Sequence, residues 1–185
     1  MWLEPYEDTI CQGAIVDYPD WEFGDVKIPL AVVLSNECDL TNDKCGYLIL
    51  MGLLEADFVL KSSKEYQAIL PENFTGNFAN LTKKQKEAIT KYFEGFIHNK
   101  DIRRYFFLGG DALGLPNLVV DFQLLKSIPY ANIPELKPIG KVKSPFKEQM
   151  IVHFASYTSR IPTERVSEDI KLGLLNSLIS SDAEI

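Results

Sequence analysis

The chain has 185 residues and a formal net charge of −7, with 46% hydrophobic and 24% charged residues. Those proportions fit one globular domain with a sizeable core and exclude a largely disordered chain, a collagen-like chain and a coiled-coil rod. The acidic balance excludes a global basic field for nucleic acid, and no apolar run reaches the roughly 18 to 20 residues of a membrane helix.

The opening MWLEPYEDTI carries three acids and no basic region, so no secretory signal is expected. Three cysteines do not make a disulfide framework, and a cytoplasmic protein with reduced thiols is expected. Residues 10–18 (ICQGAIVDY) read as a first strand, with Gly13 allowing a bend or bulge. PDWEFGDVKIP is a turn-rich acidic and aromatic loop. LAVVLS (30–35) is a continuous β-branched run, hence a buried strand. SNECDLTNDKCG is full of turn formers, and YLILMGLL (47–54) is another buried strand.

The middle differs. Residues 1–60 hold 2 basic and 12 acidic residues, whereas residues 61–104 hold 9 basic and 5 acidic. This segment is read as a solvated helix face, with a local basic surface as the alternative. KSSKEYQAILPENFTGNFANL is irregular, with room for one short helix. Thr82 and Gln85 fit a capping box. Ala88, Ile89, Tyr92, Phe93, Phe96 and Ile97 then recur at helical spacing. RRYFFLGG (103–110) reads as a strand ending in a glycine turn, and NLVVDFQLLKSIPY (117–130) as one or two more. Ser144 and Pro145 look like a cap and first position of a helix with an apolar face from Phe146 to Tyr157. Thr163 opens a last helix, 163–179, with Val166, Ile170, Leu174 and Leu178 four apart, a stripe suited to a protein partner.

The expected architecture is a single α+β domain over 1–185, mainly β. Residues 10–54 and 103–144 supply the strands of a small antiparallel barrel. Residues 55–102 form a helical insertion, and 145–180 the C-terminal helices.

The densest polar cluster is Ser35-Asn36-Glu37-Cys38-Asp39, directly after the strongest strand. A strand end delivers side chains to a fixed place. Glu37 and Asp39 could act as general bases or hold a cation. Cys38 could be a nucleophile, although the surrounding acids oppose a thiolate. The alternative is structural: Cys38 packs and Asp39 caps the turn. As a binding loop, Asn36 and Cys38 would face a ligand or partner. Cys11, Cys38, Cys45, His98 and His153 lack metal-site spacing, so no metal is expected. Without a P-loop or G-x-G-x-x-G, no cofactor is expected either. Ser35, His153 and Asp121 are what a Ser-His-Asp triad would draw on, but no G-x-S-x-G elbow marks one. Basic residues stand beside aromatics at Lys91-Tyr92-Phe93 and at Arg103-Arg104-Tyr105-Phe106, a mixture able to stack bases and pair phosphates. Arg103 and Arg104 are the better candidates, because the helix stripe already accounts for Tyr92 and Phe93.

QGAIVDYP, an acidic loop, KIPLAVVLSNECDL and a second apolar strand together resemble the start of MazF/PemK-like toxins. In that family a G-[DE]-[IV]-hydrophobic strand and a loop precede R-P-x-[VI]-V-[LI]-S. VVDFQLLKSIPYANIPELKPIGKV and the following helix resemble the family's final strands and C-terminal helix. The resemblance covers roughly 10–54 and 117–158. It implies an SH3-like barrel, commonly a homodimer, and cleavage of single-stranded RNA in active members. Ser35 matches the family's serine and would contact phosphate, with Glu37 or Asp39 as base. Active members carry an arginine in the first loop, whereas here Lys27 is the only base and lacks the planar fork. The string Ser35 to Leu40, S-x-x-C-D-L, also resembles one in an uncharacterised prokaryotic family, sometimes near defence or restriction genes.

Overall fold

The computed structural model describes residues 2–6, 10–18, 21–42, 44–71, 78–100, 104–110 and 113–159. Nine strands run β1 (Leu3–Glu4), β2 (Ala14–Asp17), β3 (Glu22–Phe23), β4 (Val26–Lys27), β5 (Leu30–Val33), β6 (Tyr47–Glu55), β7 (Tyr105–Leu108), β8 (Leu118–Pro129) and β9 (Lys137–Val142). Five helices are α1 (Glu37–Thr41), α2 (Ala56–Ser62), α3 (Lys64–Ile69), α4 (Lys83–Ile97) and α5 (Phe146–Thr158). Seven strands form one antiparallel sheet in the order β1-β9-β2-β5-β6-β8-β7, and β3 and β4 make a separate hairpin.

The continuous apolar runs are explained by burial on both faces of this sheet. In β5 the alternation sends Val32 to one core and Ala31 and Val33 to the other. The first core holds Ile15, Met51, Phe106 and Val120 and is covered by α5 through Met150, Phe154 and Tyr157. The second holds Val16, Leu48 and Leu50 beside Trp21 and Ile28, which flank the β3–β4 hairpin. A third, smaller cluster joins Ala56, Val59, Phe107 and Val119 to Phe96 and Ile97 of α4.

The sheet curls into a half-barrel. Trp2, next to edge strand β1, reaches the opposite edge strand β7, with ring centroids 6.5 Å from Phe106 and 5.8 Å from Phe107. It also lies 4.1 Å from Phe146 at the start of α5.

The sheet is irregular where it matters most for the site. Met51 pairs with Leu125 and Leu53 with Val120, so Gly52 alone faces residues 121–124 of β8. A Cβ at Gly52 would lie 3.0 Å from both the Ile28 and Leu124 side chains, so a larger residue there would press on the residue after β4 and on β8. The extra residues of β8 turn back toward β7, and Phe122 N–H donates to the Arg104 carbonyl at 3.0 Å.

Several elements differ from the sequence reading. The 10–18 strand is shortened to 14–17, because Gly13 sits in a turn at φ +87°. The loop 19–29 contains the β3–β4 hairpin, and α2 follows β6 directly and ends just inside the irregular 61–81 stretch, whose short α-helix is α3. Residues 117–130 hold one long strand, Leu118–Pro129. Ser144 does not cap α5: Pro145 holds that position, with no side-chain cap hydrogen bond. The α4 capping box is as expected, with Thr82 Oγ1 accepting from Gln85 N–H at 3.4 Å and Gln85 Oε1 accepting from Thr82 N–H at 2.9 Å. The 163–179 helix lies outside the described residues. Among the described residues no helix is long and apolar enough to cross a membrane.

Candidate functional site

The Ser35–Asp39 cluster folds into the start of α1. Ser35 is 6% exposed and its hydroxyl accepts from Ile49 N–H at 2.8 Å, tying the exit of β5 to β6. Asn36 caps α1, its side chain accepting from Cys38 N–H at 3.2 Å. Glu37 pairs with Lys147 of α5 at 3.0 Å. Asp39 and Cys38 are exposed in the first turn of α1, where the acids suit the helix dipole. Lys27 is exposed in β4, in register with Glu22. Each of these side chains except Lys27 and Cys38 already serves the local fold.

The triad candidates have separate partners. Ser35 serves Ile49, Asp121 serves Arg104, and His153 stands edge-on to Phe106 with ring centroids 5.3 Å apart. Among the described residues no three His, Cys, Asp or Glu side chains gather as a metal site needs. His153 Nδ1 is buried without a hydrogen-bond partner in the described protein. Burial lowers the His153 pKa from 6.5, so the unfolded chain takes up a proton first as pH falls. Stability is then fully present above the unfolded value of about 6.5 and declines as pH drops toward the lowered folded value. His153→Phe should flatten the urea midpoint below neutrality. A slope equal to that of the wild type would contradict this.

A second constellation lies at the β8 irregularity. Asp121 is fully buried, and it accepts from Arg104 through both oxygens, Nε to Oδ1 at 2.7 Å and Nη2 to Oδ2 at 2.6 Å. Gln123 N–H donates to the same Oδ1 at 3.0 Å. Gln123 Nε2 in turn donates to the Tyr157 hydroxyl at 2.7 Å, linking the irregularity to α5. The Arg104 side chain is 40% exposed. Its guanidinium lies 5.0 Å from the Tyr105 ring centroid. The Asp121 hydrogen bonds raise the Arg104 pKa, and burial raises that of Tyr105, so the one stays a cation and the other a phenol at neutral pH.

Arg104 and Tyr105 border two cavities. The larger, about 850 Å³, is a groove between α2, α3, α4 and β7. Lys64 and Glu65 line it from α3, Lys91 and Tyr92 from α4, and Ser62 and Ser63 from the α2–α3 junction. The Ser63 and Tyr92 hydroxyls are hydrogen-bonded at 3.1 Å, which fixes that wall. Lys64 and Lys91 make no ion pair with a described residue. The smaller cavity, about 310 Å³, adds Val26, Ile28 and Phe58 around Asp121. Strand alternation turns Lys27 away from the wall that Val26 and Ile28 form.

Thus the two basic–aromatic pairs read from sequence, Lys91-Tyr92 and Arg104-Tyr105, line one groove. Arg103 lies outside the described residues. The role of Asp121 toward Arg104 escaped the sequence reading. Its signal was a lone carboxylate inside the apolar strand LVVDFQLL, which must find a cation to be buried. No protein-family model matches the chain, and no curated protein matches it.

Proposed function

We propose that the chain is a divergent SH3-like barrel of the MazF/PemK type that acts on single-stranded RNA in a bacterial toxin or phage-defence system. In this reading the RNA is held in the groove beside β7. The observation that carries it is the meeting of Lys91-Tyr92 and Arg104-Tyr105 in one concavity. Cations there pair phosphates, and tyrosine rings stack bases. Arg104, whose Nε and Nη2 are held by a buried carboxylate, presents its remaining Nη1 side as a positioned guanidinium donor that the first loop lacks. A second reading, a protein-interaction module, is favoured by the exposed Tyr47, Ile49 and Leu125 on neighbouring β6 and β8.

The test is labelled single-stranded RNA at low salt, with and without Mg²⁺, followed for both retention and length. The wild type should retain RNA, and Lys91→Ala should weaken retention several-fold. Ser35→Ala should retain RNA as the wild type does. It should nevertheless lose about 0.5 to 1.5 kcal/mol of stability, because the hydrogen bond from Ile49 N–H to the Ser35 hydroxyl is lost. Loss of RNA cleavage in Ser35→Ala at full retention would assign the chemistry to the α1 loop. No retention by any form would favour the interaction module.

A further inference from the structure

We propose that the groove takes a single nucleotide unit carrying a terminal phosphate, and not the interior of a strand. This rests on the reading of the groove as a nucleic-acid site and narrows its ligand.

The first argument is electrostatic. Lys64, Lys91 and Arg104 line one concavity, whereas the chain carries −7 overall. Screening confines the pull of these cations to about 8 Å at physiological salt. A compact anion inside the groove is attracted, while a strand running on beyond it gains nothing from them. A protein that tracks a long strand needs a basic stripe instead.

The second argument is shape and chemistry. The groove's volume of about 850 Å³ lies in the range of sites that enclose a small ligand, about 300 to 1,000 Å³. Tyr92 and Tyr105 line it beside the cations. Asp121 engages Nε and Nη2 of Arg104, so Nη1 is left to donate to a ligand. A phosphomonoester brings about −1.5 to −2 charges and three acceptor oxygens, a better match to two lysines and the remaining edge of the paired Arg104 than one internal phosphodiester.

The shared chemistry, a nucleotide with a terminal phosphate, has two sources: a free mononucleotide or the phosphorylated end of an RNA strand. Calorimetry would compare a nucleoside 5′-monophosphate, the matching nucleoside, and hexaribonucleotides bearing a 5′-phosphate, a 3′-phosphate or neither. At least one phosphorylated ligand should bind tenfold or more tightly than its unphosphorylated counterpart. Lys91→Ala, on an exposed helix position, and Tyr105→Phe should each weaken that ligand several-fold. If only the mononucleotide binds, the inference holds for a free nucleotide and the RNA reading fails. If all hexamers bind equally, the inference is overturned and the RNA reading stands. If nothing binds, both fail. Heat-denaturation midpoints of both variants would show that they remain folded.

Discussion

Replacing Arg104 by methionine is expected to cost about 3 kcal/mol, toward the lower end of what breaking a buried ion pair costs. Asp121 is fully buried, and in this variant it would retain only the Gln123 N–H as a donor. The reverse change, Asp121→Asn, should cost less, about 1 to 2 kcal/mol, because Arg104 is 40% exposed and water can take up its donors. Urea midpoints of both variants would check this ordering. Equal and small losses would mean that solvent, not the pair, satisfies the irregularity in β8.

Phe106→Ala should cost about 3 to 5 kcal/mol. Phe106 is fully buried on edge strand β7, and it meets Trp2 from the opposite edge at 6.5 Å and His153 of α5 at 5.3 Å. Truncation therefore opens a void where the curl of the sheet and the covering helix converge. Phe106→Leu should cost less, about 1 to 1.5 kcal/mol, by keeping most of the volume. Val152→Ala, at a position 61% exposed on α5, should stay within about 0.5 kcal/mol of the wild type. Chemical denaturation of the three variants would check this ordering. A loss below 1.5 kcal/mol for Phe106→Ala would show that the two edges do not depend on each other.

The parts of the fold legible from sequence were those with strong periodic signals. LAVVLS and residues 50–53 of YLILMGLL are apolar because the sheet there is buried on both faces, whereas Tyr47 and Ile49 are exposed, and Thr82 with Gln85 marks the start of α4 by their own chemistry. The two-residue strands of the β3–β4 hairpin are too short to show alternation. Helix α1 has five residues among turn formers, and its Asn36 cap reads equally well as a turn. The groove was legible only in pieces. Local sequence showed a base beside an aromatic at 91–92 and at 104–105, but their meeting depends on packing α4 against β7 through Phe96 and Phe107, whose ring centroids lie 5.8 Å apart. Lys64 gave no signal at all, since it enters the wall only through the position of α3.

We propose above that single-stranded RNA sits in the groove beside β7 and not at the α1 loop. Ultraviolet crosslinking of the wild type to a photoreactive single-stranded RNA, followed by mass spectrometry of the modified peptides, tests it most directly. Adducts are expected on peptides containing Tyr92 or Tyr105, with several-fold lower yield in Lys91→Ala. Adducts confined to the Ser35–Asp39 peptide would contradict it.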